Sequence, residues 1–391
     1  MTPKERFLAA MRRQVPDRVP VAPDISNFIP CKLTGMPFWD IYFFNHVPLW
    51  RAYLAAADHY GIDHWMASCT GAPLRYENPR VEWKSATRYD AALDGMVCNT
   101  TIRTPDGDMT AESICLRLDP PSPTEKPIKS FDQDWKKFRW TLTPPVGLDR
   151  QEWDTMRAEC EKRQQAFGVC IGYPGFQGWM CSTQGGIAPL CYAAVDTPAV
   201  LDEWFEIDLA NGTRAIELII EARPDYLLFG GSGTITLASP DLAMKYAIPA
   251  LRKWSAMTKA AGIPTMLHSC GKSRALIDML AEHTDVDCIN PLEIAPMGDV
   301  DLAEAKRARG SQIALMGNLH TTEVMLNGSP TLVRCKAIEA MRAAGHGGGF
   351  ILSTGDQCGR ETPEANIFAL VETAKLLGVY DPGTGRLPLL D

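Results

Sequence analysis

Two side chains that suit the same metal lie two residues apart in the segment IPTMLHSC, residues 263–270. On an extended strand, positions i and i+2 face the same side, so the imidazole of His268 and the thiol of Cys270 can reach one ion. An imidazole with a thiolate suits zinc. The alternative is a structural histidine beside an apolar cysteine, because an H-x-C pair is common by chance.

Further metal-capable side chains follow two other predicted strands. Glu293 ends the segment VDCINPLE, and Cys358 lies in STGDQCGRETP, two residues after Asp356. A salt-bridging carboxylate and a loop thiol are the alternatives for Glu293 and Cys358. If these groups converge with His268 and Cys270, they form a zinc site that can keep one position open for substrate.

Polar residues at the ends of other strands complete the candidate site. Asp24 is a candidate catalytic acid or base, with helix capping as the alternative. The remaining candidates are expected to bind substrate: Tyr173, Asn290, Asn318 and His320. A hydrogen-bonded loop histidine is the alternative for His320.

The elements that position these residues follow a regular rhythm of short apolar strands and capped helices. Such a rhythm predicts a parallel sheet covered on both faces, and eight units close a (β/α)₈ TIM barrel whose active site lies at the carboxyl ends of the strands. We predict strands at 18–24, 64–69, 166–174, 226–231, 263–270, 286–293, 311–319 and 348–355.

Residues 74–145 interrupt this rhythm with alternating segments and a TPDGD turn. We predict a β-rich insertion after the second strand, lying over the barrel mouth. The whole chain, residues 1–391, is expected to form a single barrel domain.

Composition excludes several classes of protein. The net charge of -8 offers no basic patch for nucleic acid and no attraction to anionic membranes. No apolar run is long enough for a membrane span, and the N-terminal segment lacks the features of a signal peptide. We therefore expect a cytoplasmic protein whose 12 cysteines are reduced thiols, metal ligands or small core residues.

Five segments resemble the uroporphyrinogen decarboxylase superfamily, and within it the cobalamin-dependent methyltransferase branch. They are PKERFLAAMRRQVPDRVPV, AGIPTMLHSCGK, DCINPLE, LMGNLH and FILSTGDQCGRETPEANI. The H-x-C-G sequence is the specific one, since the methyltransferase branch uses it to hold zinc. The porphyrin decarboxylases carry a basic RQAGRYxPEY-type segment where this chain has APDISNFIPCKLTG, which argues against a tetrapyrrole polycarboxylate substrate.

The resemblance implies that His268 and Cys270 are the first two zinc ligands. The third ligand of the branch is a cysteine directly after strand eight, where this chain has Asp356. We favour Cys358 as the third ligand, with Asp356 as the alternative. By a looser comparison, Glu293 is similar to a carboxylate ligand of zinc-dependent methionine synthases.

The function that the resemblance implies is methyl transfer between a small O- or S-methyl compound, or a thiol or folate acceptor, and a corrinoid. The expected cofactors are zinc and cobalamin. No D-x-H-x-x-G corrinoid-binding signature is present, so we expect the corrinoid on a separate partner protein; a homodimer is compatible with the resemblance. The alternatives are a metal-independent decarboxylase or lyase that uses Asp24, and a non-catalytic barrel that binds a partner through residues 74–145.

Overall fold

The computed structural model describes residues 1–390, and its centre is a sheet of six parallel strands. Each strand pairs with the one that follows it in the chain, as in an α/β barrel. The strands are β7 (Gly168–Gly172), β8 (Tyr226–Gly230), β9 (Thr265–His268), β10 (Cys288–Asn290), β11 (Ala314–Leu319) and β12 (Phe350–Thr354). These six confirm six of the eight predicted strands, with shorter bounds.

The first two predicted strands are wrong as regular strands, although their segments complete the barrel. Val21 pairs in parallel with Leu352 of β12, and Gly71 pairs in parallel with Cys170 of β7. The Asp63 N–H donates to the Val21 carbonyl at 2.8 Å and links the two segments. The prolines of RVPVAPD lack the N–H groups that a ladder needs, and Met66–Ser68 forms a 3-10 turn instead of a strand.

The barrel interior is a separate apolar cluster from the layer between strands and helices. Tyr226, Leu228, Met266 and Met316 are at most 2% exposed and fill it from successive strands. Phe7 of the first helix packs against Tyr226 with ring centroids 5.4 Å apart. The first helix therefore contributes to the same apolar cluster as the strands.

The predicted β-rich insertion is an antiparallel four-stranded sheet between two short strands. Its strands are β2 (Glu82–Asp90), β3 (Gly95–Thr104), β4 (Gly107–Leu116) and β5 (Ser122–Glu125). The flanking strands β1 (Leu74–Tyr76) and β6 (Pro145–Leu148) pair with each other. The carbonyl of Leu118, after β4, accepts from Arg360 in the loop that follows β12.

Helices cover the barrel and its connections. They are α1 (Pro3–Met11), α2 (Phe28–Thr34), α3 (Phe38–Tyr42), α4 (Leu49–Tyr60), α5 (Phe131–Phe138), α6 (Arg150–Lys162), α7 (Phe176–Trp179), α8 (Ile187–Asp196), α9 (Pro198–Ala222), α10 (Pro240–Tyr246), α11 (Ile248–Ala260), α12 (Arg274–His283), α13 (Leu302–Arg309), α14 (Pro330–Ala344) and α15 (Glu364–Leu377). None of the helices within residues 1–390 combines the length and the apolar composition that a membrane crossing requires.

Candidate metal centre

Three side chains from two strand ends meet at one point of the barrel rim. The ligand atoms of His268, Cys270 and Asp356 all lie within 4.8 Å of one another, and the Nε2 atom of His268 is 3.1 Å from the Cys270 sulfur. All three side chains are half-buried, so an ion or substrate can reach them. Within residues 1–390 they are the one group of metal-capable side chains this close together.

His268 is held from two sides. It ends β9 in register with Asn290 of β10, and its ring lies over Trp65 with ring centroids 6.0 Å apart. Trp65 is fully buried and comes from the irregular second segment of the barrel. The Nδ1 atom of His268 is buried without a hydrogen-bond partner.

The turn after Cys270 is fixed by two hydrogen bonds from its backbone. The N–H of Gly271 donates to Glu293, and the N–H of Lys272 donates to Thr236 Oγ1 at 2.8 Å. Gly271 has a φ of +82°, a conformation that other residues adopt with strain. Glu293, which we expected as a ligand, therefore contacts the backbone of the turn that follows Cys270.

Asp356 occupies a strained backbone position beside the cluster. Its φ of +148° is one that residues with a Cβ rarely adopt. The hydroxyl of Thr354, at the end of β12, donates to the Asp356 carbonyl at 2.7 Å and holds this turn. Asp356, which the sequence offered as the alternative third ligand, therefore lies within the cluster.

Cys358, the third ligand that we favoured, lies outside the cluster. Its side chain is fully buried within the apolar core, and its N–H donates to the Asp24 carbonyl at 2.8 Å. Burial raises the pKa of its thiol to about 12. The two residues after Asp356 carry the chain back into the core, which a sequence pattern does not reveal.

Acidic groups surround the cluster and disfavour further negative charge. Burial, followed by the charge of Asp356, raises the pKa of the Cys270 thiol. Burial also raises the pKa of Glu293, and the charge of Asp356 adds to that effect. A bound cation would offset this repulsion and favour the thiolate form of Cys270.

Asp24 borders the same cluster but is almost completely buried. Burial raises the pKa of its carboxyl, the charge of His268 opposes this rise and the charge of Asp356 adds to it. One carboxylate oxygen accepts from the Ser26 N–H at 2.9 Å. This buried, protonatable position is compatible with an acid or base role beside the metal-capable groups.

Tyr173 does not present a free hydroxyl to the cluster. Its hydroxyl lies 2.6 Å from Thr234 Oγ1, which in turn lies 2.8 Å from Ser269 Oγ. Ser269 stands between His268 and Cys270 in the chain. The network therefore ties the end of β9 to Tyr173 and Thr234. Thr234 and Ser269 were not among the candidates from the sequence.

Asn290 and His320 place unused polar atoms near the same rim, where Asn318 lies near the end of β11. The Nδ1 atom of His320 accepts from the N–H groups of Thr322 and Glu323 at 3.2 and 3.1 Å, so the ring proton lies on Nε2. That Nε2 atom and the Oδ1 atom of Asn290 are buried without partners. Asn318 and His320 also line a cavity of about 520 Å³.

The fold and the site together define a (β/α)₈ barrel with a candidate metal centre at its strand ends. Residues 156–377 match the family model described as uroporphyrinogen decarboxylase (URO-D). The chain therefore belongs to the uroporphyrinogen decarboxylase family, which confirms the resemblance inferred from its sequence motifs.

Individual relatives point to two kinds of enzyme. The chain is 27% identical over 186 residues to a methylcobamide:CoM methyltransferase, MtbA, of Methanosarcina mazei, covering 46% of this chain and 48% of the relative. It is 37% identical over 76 residues to a uroporphyrinogen decarboxylase of Trichodesmium erythraeum, covering 19% of this chain and 21% of the relative. The chain thus spans about half the length of the first relative and about a fifth of the second.

A solved structure supports the fold over nearly the whole chain. A methyltransferase from Methanosarcina mazei is similar with a TM-score of 0.62 and 17% identity, covering 96% of this chain and 98% of that one. The barrel that was predicted from the alternation of strands and helices is confirmed.

Proposed function

We propose that this protein is a zinc-dependent methyltransferase that moves a methyl group between a small O- or S-methyl compound, or a thiol or folate acceptor, and a corrinoid carried on a separate protein. The observation that carries the proposal is the meeting of His268, Cys270 and Asp356 within 4.8 Å at the barrel rim. The match to a methylcobamide:CoM methyltransferase supports the reaction class.

The residues present fit a zinc ion. Bonds from zinc to nitrogen, sulfur and oxygen are about 2.0–2.3 Å long, so in a tetrahedral site two ligand atoms lie about 3.3–3.8 Å apart. His268 Nε2 and the Cys270 sulfur are 3.1 Å apart, and the 4.8 Å bound on the whole cluster exceeds the upper end of the tetrahedral spacing by about 1 Å. His268 supplies nitrogen, Cys270 sulfur and Asp356 oxygen, which leaves a fourth position for substrate.

Zinc and the surrounding side chains would have different roles in the reaction. Zinc bound at this centre would supply Lewis acidity, either lowering the pKa of a substrate thiol or polarising an ether oxygen. Glu293 and Thr236 fix the turn that carries Cys270. The Nε2–H of His320 is a fixed donor for a substrate oxygen, and buried Asp24 can hold or release a proton beside the cluster.

Metal analysis tests the centre directly. We expect purified wild-type protein to hold about one zinc per chain under reducing conditions. His268→Ala, Cys270→Ala and Asp356→Ala should each lose most of it, whereas Cys358→Ala should retain it as the matched control. Wild-type protein that binds no zinc, or a Cys358→Ala variant that alone loses it, would contradict this ligand set.

Absorbance spectroscopy tests the reaction. We expect anaerobic demethylation of methylcobalamin in the presence of a thiol, abolished by chelation and by His268→Ala. Activity that survives chelation but disappears in Asp24→Asn would instead support the metal-independent decarboxylase or lyase.

A further inference from the structure

A second cavity lies at the carboxyl end of β7. None of His268, Cys270 and Asp356 lines it, although Tyr173, whose hydroxyl network reaches Ser269, does. The cavity has a volume of about 680 Å³, within the range of small-molecule sites. Its walls come from β1 and the start of β2, the segment that leads to β6, the end of β7 with α7, and one face of α9. The insertion and the barrel therefore build it together.

Indole rings form the floor of the cavity, where Trp179, Trp204 and Trp254 are at most 3% exposed and pack against neighbouring aromatic rings. Trp179 of α7 and Trp204 of α9 stack with ring centroids 5.1 Å apart and an interplanar angle of 22°. Trp254 of α11 approaches α9 closely because Gly212 leaves no Cβ in its path. Trp83 of the insertion lines the cavity from the other side and is 55% exposed. Indole faces attract cations through their quadrupole.

One carboxylate lies among these rings. Asp208 is one helical turn after Trp204 on α9, and it is the one charged side chain in the lining. Its Oδ2 atom accepts from Trp179 Nε1 at 2.8 Å. Within residues 1–390, no lysine or arginine forms an ion pair with it. Burial raises the pKa of its carboxyl to about 6, so at neutral pH it carries a negative charge without a counter-ion.

We propose that this cavity is a second ligand site, which takes a small alkylammonium cation whose charge faces Asp208 and whose alkyl groups contact Trp83 and Tyr76, the aromatic side chains of the lining that are more than half exposed. An anionic ligand is disfavoured because the lining offers no lysine or arginine. A neutral apolar ligand would leave the Trp179 N–H as the one protein group that compensates the Asp208 carboxylate. This inference concerns a different cavity and does not depend on the proposed methyl transfer.

Calorimetric titration of the full-length protein with choline tests the site. The matched uncharged probe is 3,3-dimethylbutan-1-ol, which has the same shape without the charge. We expect saturable choline binding at neutral pH and at least about tenfold weaker binding of the alcohol. Asp208→Asn, which keeps an acceptor for Trp179, should weaken choline binding by a similar factor.

Two further variants keep the result interpretable. Glu206→Gln removes an exposed carboxylate from the same helix outside the cavity and should leave choline binding unchanged. Trp83→Ala removes an exposed indole from the wall and should weaken it. Choline and benzyltrimethylammonium both failing to bind wild-type protein, or Asp208→Asn binding choline as tightly as wild type, would overturn the proposal. Loss of choline binding in His268→Ala would place the ligand at the metal centre and also overturn it.

Discussion

In the candidate metal centre, Glu293 contacts the turn after Cys270 and is not part of the cluster of His268, Cys270 and Asp356. It is buried, and it accepts a hydrogen bond from the N–H of Gly271, directly after Cys270. Groups that orient metal ligands affect metal binding by about 10–100-fold when they are removed. We therefore expect Glu293 to act on the position of the Cys270 sulfur.

Two substitutions separate this role from direct ligation. Glu293→Ala removes the acceptor, so zinc affinity should fall by about 10–100-fold. Glu293→Gln keeps an amide oxygen that can accept from Gly271, so it should retain most of the affinity. Competition titration with a chromogenic chelator measures both variants; equal losses in the two would indicate that Glu293 binds the metal through its charge.

His64 makes the free energy of unfolding sensitive to acid. It is fully buried, both ring nitrogens lack hydrogen-bond partners, and burial lowers its pKa to about 3. In the unfolded chain His64 binds a proton below about pH 6.5, whereas in the folded chain it stays neutral down to about pH 3. The stabilising contribution is complete above pH 6.5 and decreases as the pH falls towards 3.

Urea unfolding at two pH values measures this contribution. Between pH 7 and pH 5, His64 should account for a loss of about 2 kcal/mol in the unfolding free energy. His64→Leu should remove that part of the pH dependence. His59→Leu is the control, since His59 is on the surface near Glu364; an unchanged slope in His64→Leu would contradict the assignment.

The candidate metal centre shows what residue types and spacing can predict. The H-x-C spacing predicted that His268 and Cys270 lie together, and His268 Nε2 is 3.1 Å from the Cys270 sulfur, although β9 ends at His268 and Cys270 lies in the turn that follows. The choice between Asp356 and Cys358 depends on the path of a turn in which Asp356 has a φ of +148°. Trp65 and Thr236 approach from segments far away in the chain, so no local pattern indicates them.

At the scale of elements, the strand β7 contains two glycines with opposite roles. Gly168 pairs with Tyr226 of β8, and a Cβ on Gly168 would overlap the tyrosine ring. Gly172, at the other end of the strand, has nothing within 4 Å of the place that a Cβ would occupy. Only the first glycine is required by the close packing of the barrel interior.

Gly168→Ala should therefore lower the unfolding free energy by about 1–3 kcal/mol, as overpacking of a tight core does. Gly172→Ala places the same methyl group in open space and should change it by less than about 1 kcal/mol. Chemical denaturation of both variants measures the difference. Equal effects would show that the tyrosine ring can move aside.

The periodic pattern predicted the six central strands because each is a short apolar run followed by a helix. The same pattern does not show where a proline interrupts the backbone hydrogen bonds of an element. The hydrophobic periodicity of residues 239–262 is that of one amphipathic helix, whereas the structure ends α10 at Tyr246 and begins α11 at Ile248. Pro249 has no N–H to donate to the preceding turn, so the helical hydrogen bonds are interrupted there.

At the scale of the whole molecule, the barrel closes through two segments with few ladder hydrogen bonds. Asp63 replaces part of the missing ladder. It is 1% exposed, and it accepts from Arg6 Nη1 at 2.7 Å, from Arg18 Nη2 at 3.1 Å and from the Val21 N–H at 3.1 Å. One carboxylate thus joins α1 to both irregular segments of the barrel.

Removing this carboxylate leaves two guanidinium groups and a buried N–H without their shared acceptor. Breaking a buried ion pair in this way costs about 3–5 kcal/mol, so Asp63→Ala should lower the unfolding free energy by that amount. Asp58→Ala is the matched control, because Asp58 pairs with Arg163 while 49% of its side chain is exposed, and such pairs contribute about 1 kcal/mol or less. Urea unfolding compares the two variants. A loss in Asp63→Ala no larger than that in Asp58→Ala would mean that the apolar interior alone holds the barrel closed.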